Sequence, residues 1–232
     1  MNPRSSLWYV LFWLCTGADI FFVITQKQEG RYISKVLLMP LLMMAYFMEN
    51  GAGVTFSRLI LTGLFFSWMG DILLLSESRF GFLFIPGLIS FLITHIIYIR
   101  YFLLIQSKHN SFFRKRPVML LVVAVYTVEL LYLLWPHLGN MKIPVTVYAT
   151  VISLMLACAL WQYRKLGLKT SLLFISGALL FVLSDSLLAI NKFYTPFSEA
   201  GVFIMLTYIS AQFLIAKGSS SHLKEEKRQL VH

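Results

Sequence analysis

An all-α fold of eight membrane-spanning helices follows from three observations: the apolar content, the length of the apolar runs, and where the charges fall. Of 232 residues, 58% are apolar, 16% aromatic and only 13% charged, and mean hydropathy is +0.75. Soluble domains run about 45–50% apolar and about 25% charged, so a globule of this size would leave far too much apolar surface in water. This excludes a soluble enzyme, a disordered chain and a secreted disulfide scaffold. Cys15 and Cys158 both lie in apolar runs, where a thiol behaves as a small hydrophobe. The net charge of +10 does not indicate nucleic acid, because the basic residues sit between apolar runs, where they set membrane topology.

A hydrocarbon core about 30 Å thick needs roughly 20 residues at about 1.5 Å rise each. On that ruler the spans are residues 7–25, 32–48, 56–76, 80–105, 118–135, 143–163, 171–190 and 199–216. Runs this long satisfy their backbone groups as helices rather than as barrel strands. The first run is not a cleavable leader: it is too long, Asp19 interrupts it, and no small-x-small site closes it. The longest connection, 106–117, carries Lys108, Arg114, Lys115 and Arg116. No linker is long enough to separate two domains, so residues 1–217 read as a single transmembrane domain and 218–232 as a polar cytoplasmic tail.

Orientation follows from the cations. One side collects Arg4, Arg58, Lys108, Arg114, Lys115, Arg116, Arg164, Lys165, Lys169, Lys217, Lys224, Lys227 and Arg228. The other has Lys27, Arg31, Arg79, Lys142 and Lys192. Thirteen against five places both termini in the cytoplasm. The membrane is the plasma (inner) membrane in a bacterium and the endoplasmic reticulum in a eukaryote.

The third and seventh spans share a pattern. Gly63, seven residues, Asp71, one residue, Leu73-Leu74 is repeated as Gly177, seven residues, Asp185, one residue, Leu187-Leu188. The aspartates are four spans apart, so their helices run the same way. A four-plus-four parallel repeat about the membrane normal would produce this.

Ionisable groups within lipid are costly, and each marks a candidate site. They are Asp19, Lys35, Asp71, His95, Glu129 and Asp185. Asp19, Asp71, Glu129 and Asp185 lie past the midpoints of outward-running helices, and Lys35 lies near the start of an inward-running one. Five of the six thus share one depth in the non-cytoplasmic half, as a single polar pocket would require, with His95 near the middle. Each has a bland reading: the two repeated aspartates as packing devices, Asp19 and Glu129 as structural partners of cations, His95 as a satisfied core histidine, and Lys35, Arg58 and Arg100 as snorkelling cations.

Two carboxyls in a water-poor cavity share a proton, one acting as acid and the other orienting water. Asp71 and Asp185 are therefore the expected catalytic pair, suited to hydrolysis through an oxocarbenium-like state. No Gly-x-Ser-x-Gly elbow supports a serine nucleophile. Zinc needs three good ligands, and of five histidines only His95 lies in a span, so neither a metal nor an organic cofactor is expected. A zinc amidase is the weaker rival. The stronger is a small proton-coupled transporter or lipid-moving protein, in which the repeated aspartates carry protons.

Five stretches resemble the YhhN family of membrane proteins, whose characterised members are lysoplasmalogenases. They are Ser34-Lys35-Val36-Leu37-Leu38-Met39-Pro40, Gly70-Asp71-Ile72-Leu73-Leu74, Gly87 through Phe91-x-x-x-His95-x-x-Tyr98, Gly177 through Ser184-Asp185-Ser186-Leu187-Leu188-Ala189, and Tyr208-Ile-Ser-Ala211-Gln212. Val36 departs from the family, which commonly has proline after the lysine. The resemblance implies hydrolysis of the vinyl ether bond of a single-chain ether phospholipid, giving a fatty aldehyde and a glycerophospho-alcohol. Protonation of the vinyl β-carbon makes an oxocarbenium ion that water captures, which suits one acid and one carboxylate. On that resemblance Lys35 would bind the phosphate as a point charge. Tyr98 and Tyr208 would supply donors, with His95, Asp19 and Glu129 around the substrate. Trp68 or Trp135 would face a quaternary ammonium.

Overall fold

The computed structural model describes residues 3–77, 80–105, 118–163 and 165–230. Of the cations used for topology, Arg79, Lys108, Arg114, Lys115, Arg116 and Arg164 lie outside the described residues. The described residues are helical with no strand, and eight of their helices are long and apolar enough to cross a membrane. These are α1 (Pro3–Ile24), α2 (Gln28–Asn50), α3 (Thr55–Ser76), α4 (Phe84–Leu104), α5 (Val118–Leu134), α6 (Lys142–Trp161), α7 (Leu168–Ala189) and α8 (Ala200–Leu230). They coincide with the eight expected spans, most ends agreeing within a few residues.

The chain divides into two compact units, Met1–Tyr101 and Phe102–His232. The boundary falls near the end of α4, after four spans. In the first unit α1 packs on α2 and α2 on α3. Helix α3 meets α4 at small residues: a Cβ on Gly70 would lie 2.6 Å from the Phe91 ring, and one on Gly63 would collide with Tyr98. Between those contacts Ser67 donates to Thr94 (3.1 Å), and Thr94 donates to the Gly63 carbonyl (3.1 Å).

Pro40 interrupts α2 from inside. It has no N–H to give to the carbonyl four residues earlier, Val36, and in lipid that oxygen must find another donor. The indole N–H of Trp68, on α3, donates to it at 2.9 Å. The proline therefore adds a link between α2 and α3 beside Lys35. The chain leaves α2 through Gly51, at φ 67°, a backbone conformation that costs glycine little.

In the second unit α5 packs on α6, α6 on α7, and most extensively α7 on α8. Gly177 sets the last contact, since a Cβ there would come within 2.8 Å of Ile215 and 3.1 Å of the Ala211 carbonyl. Helix α7 ends in a π-helical turn, Ile190–Tyr194.

The largest boundary difference is α8, which runs on past Ala216 to Leu230. Its polar segment has a buried face of Ser219, Ser220, His222 and Leu223. Glu225 accepts a hydrogen bond from the Thr170 hydroxyl (2.5 Å) and another from the Gly167 N–H (3.2 Å). It thereby serves the first turn of α7, where backbone donors lack helical partners. Mixed polar composition concealed this amphipathic face in the sequence. At about 1.5 Å per residue, the 31 residues of α8 exceed the thickness of a hydrocarbon core of about 30 Å.

Candidate active site

Each unit places its repeated aspartate in the same way. The motif's glycine meets the fourth long helix of the unit, Gly63 against Tyr98 and Gly177 against α8. Its aspartate meets the second, Asp71 opposite Lys35 on α2 and Asp185 opposite Tyr148 on α6.

In the first unit Lys35 Nζ lies 3.7 Å from Asp71 Oδ1, the side chains only 11% and 4% exposed. Snorkelling is thereby set aside for Lys35, because its ammonium is committed to a buried carboxylate. Asp19 on α1 is fully buried and accepts a hydrogen bond from Ser34 at 2.7 Å, while its Oδ2 is buried without a hydrogen-bond partner. Arg31, one turn before Lys35, lies close enough for its charge to act on both Asp19 and Lys35. The first unit thus assembles two acids and two cations from α1, α2 and α3. Asp19, Lys35 and Asp71 were expected together with Glu129 and Asp185, which belong to the second unit. Arg31 was missed because it had been assigned to a connection.

His95 and Tyr98 are fully buried on α4. Trp68 does not present its N–H to a ligand, having given it to Val36. The ring of Trp135 in the second unit already faces a cation, since Lys142 Nζ stands 5.0 Å from its centroid.

In the second unit the buried Tyr148 phenol donates to Asp185 Oδ2. Beside this pair lies a cavity of about 40 Å³ bounded by α5, α6 and α7. Its polar lining is Asp185, Tyr148, Tyr126, Thr127, Ser153 and Ser186, above apolar walls that include Leu130, Val145 and Ile152. Tyr126 donates to Ser186 at 2.8 Å, and Thr127 and Ser153 share a hydrogen bond of 2.6 Å.

Glu129 does not join this group. It lies on the exposed face of α5 and is not among the cavity-lining residues. Periodicity explains the outcome: Tyr126, Thr127 and Leu130 turn one side of α5 to the cavity, and Glu129 falls on the other. Tyr208 on α8 is buried, its ring edge-on to Phe181 at 5.6 Å.

Sequence reasoning missed Tyr148, although a signal existed. Asp71 follows its partner Lys35 by 36 positions, and Asp185 follows Tyr148 by 37. Aligning the two motifs puts Ala149 opposite Lys35 and so leads to the right turn of α6, with Tyr148 one position earlier.

Eight apolar helices, with acidic side chains held inside them by helix-to-helix partners, define a polytopic integral membrane protein built around intramembrane carboxyls. The chain belongs to the YhhN family, whose model matches residues 30–219. It is 31% identical over 218 residues to human "Lysoplasmalogenase TMEM86B", covering 92% of this chain and 87% of that protein. It is 35% identical over 170 residues to human "Lysoplasmalogenase TMEM86A", covering 68% and 63%. It is also 34% identical over 161 residues to the "Lysoplasmalogenase" of Mycobacterium tuberculosis, covering 65% and 59%. No solved structure matches the chain significantly.

Proposed function

We propose that this protein is a lysoplasmalogenase, an integral-membrane hydrolase that cleaves the vinyl ether bond of a single-chain ether phospholipid. The observation that carries the chemistry is a partnered intramembrane carboxyl at the same motif position in each unit, one held by an ammonium and one by a phenol. Such groups are expensive in lipid and are kept there for function.

The reaction needs a proton delivered to the β-carbon and a water oriented toward the α-carbon. Asp71 and Asp185 are the carboxyls that carry these proton transfers. The Lys35–Asp71 pair holds a proton that either member can carry. An ammonium has three N–H donors, so Lys35 can serve Asp71 and still give one to a lipid phosphate, with Arg31 adding a second cation nearby. Asp19, hydrogen-bonded by Ser34, balances the charge of this group. His95, Tyr98 and Tyr208 form the buried surroundings of the substrate. No metal or organic cofactor enters this chemistry.

Orientation belongs to the same reading. Both termini face the cytoplasm, on the side of Lys165, Lys169 and the end of α8, and the carboxyls lie in the outer half of the bilayer. The duplicated motif marks a four-plus-four repeat.

Purified protein with lysoplasmenyl-ethanolamine should release fatty aldehyde, whereas the saturated ether analogue should give none. Flux in liposomes without aldehyde would replace the hydrolase with a transporter.

A further inference from the structure

The cavity beside Asp185 has an unusual hydrogen-bonding character that emerges from counting protons. Each hydroxyl has one proton to give. Tyr148 gives its proton to Asp185. Tyr126 gives its proton to Ser186, and Ser186 gives its own to the Val182 carbonyl at 2.7 Å. Thr127 donates to the Val123 carbonyl at 2.7 Å, so its bond with Ser153 must be donated by Ser153. The hydroxyl protons lining the cavity are therefore committed elsewhere. What Tyr126 and Ser153 keep for the cavity is lone pairs, beside the carboxyl oxygens of Asp185. A lining of acceptors repels a phosphate and calls for a ligand that donates.

The volume narrows the choice. A water needs roughly 10–15 Å³ of probe-occupied space and two or more polar partners, so about 40 Å³ suits a few waters. A water held by acceptors alone donates both protons to the protein and keeps its lone pairs for an electrophile. That is the state a hydrolytic nucleophile requires.

We propose that this cavity holds the water consumed in hydrolysis, with Asp185 as the carboxylate that takes its proton and Tyr148 as the positioning residue that fixes Asp185. This rests on the hydrolase reading above and assigns one role within it. The water oxygen forms a bond to the α-carbon of the oxocarbenium ion, and one of its O–H bonds breaks, the proton passing to Asp185. That proton offsets the one spent on the β-carbon. The hemiacetal then collapses: its hydroxyl proton is lost, the bond to the glycerol oxygen breaks, and that oxygen is protonated to the alcohol.

The test fills the cavity without touching the carboxyl. In the full-length protein, Ala149→Leu places a larger side chain in the cavity wall. It should lower kcat about tenfold or more, while KM for ethanolamine and choline lysolipids stays within about twofold. Tyr148→Phe, which keeps the ring, should show the same split and serves if Ala149→Leu does not fold. Wild-type kcat in the folded variants would overturn the proposal. So would a raised KM for the ethanolamine form alone, because the cavity would then seat a headgroup ammonium. Wild-type protein that releases no aldehyde would overturn the hydrolase reading itself. Wild-type turnover with unaffected variants removes only the water site.

Discussion

The two units carry the same Gly-x7-Asp-x-Leu-Leu pattern and give its aspartate different company. Asp71 faces an ammonium in a buried cluster of two acids and two cations; Asp185 faces a phenol at the edge of a cavity walled by hydroxyls. A carboxylate beside an ammonium is held by charge, and the pair is stable in lipid only while both members are present. A carboxylate beside a phenol is held by hydrogen bonding instead and can face a donor ligand. One motif position thus meets two kinds of partner, each supplied by the second helix of its unit.

The largest effect comes from removing either carboxyl. Asp71→Asn and Asp185→Asn keep side-chain volume but cannot exchange a proton, and each should lower turnover by a hundredfold or more, at about the scale of a lost general acid or base. Aldehyde release from purified, folded protein measures this. Either variant retaining a tenth of wild-type turnover would show that its unit supplies structure only.

The partners should separate the units in stability. Lys35→Met leaves the Asp71 charge buried without its cation and should destabilise by about 3–5 kcal/mol. Tyr148→Phe removes one hydrogen bond to a charged acceptor and should cost about 1.5–3 kcal/mol. Thermal unfolding in one detergent gives both values. The double variant Lys35→Met/Asp71→Asn should recover part of the first loss, since it removes both members of the pair. Equal losses in the two single variants would erase the electrostatic distinction between the units.

A third contrast lies in the second helices. Helix α2 carries Pro40 in its interior and is repaired by Trp68, whereas Pro144 of α6 sits in the first turn, where no helical partner is lost. Trp68→Phe should therefore cost about 1–3 kcal/mol by stranding the Val36 carbonyl. In a Pro40→Ala background, where the residue 40 N–H is restored, most of that hydrogen-bond cost should vanish. An unchanged cost there would assign the role of Trp68 to packing.

These contrasts show what kind of information the sequence held. The spans were legible because hydrocarbon thickness converts directly into run length, and the aspartates because a charge in lipid stands out against leucine. Lys35 with Asp71 was legible at the level of depth. The Tyr148–Asp185 pair was not, because tyrosine is common in these helices and its phenol signals nothing until a neighbouring helix supplies an acceptor. Arg31 was lost to a boundary error of a few residues that assigned it to a loop. The extension of α8 was lost because a polar helix that buries serines has no strong hydropathy signal. The hydrogen-bonding role of Trp68 was not legible, because the demand for its N–H came from a proline on another helix.

The smallest expected effect tests the first helices, α1 and α5. Asp19 and Glu129 looked equivalent by depth, yet Asp19 is fully buried with Ser34 on its carboxylate and Glu129 lies exposed on α5. Asp19→Asn removes a charge-assisted hydrogen bond and a counter-charge to Arg31 and Lys35, and should destabilise by about 1.5–3 kcal/mol. Glu129→Gln touches neither the cavity nor a buried partner, so its stability should stay within about 0.5 kcal/mol of wild type. Its aldehyde release should change by less than about twofold, a barrier difference under about 0.5 kcal/mol. A larger fall in turnover for Glu129→Gln, with stability intact, would restore Glu129 to the reaction. Its exposed carboxylate would then have to act on substrate arriving along the outer face of α5, and the equivalence of the two first helices would lie in function despite their opposite burial.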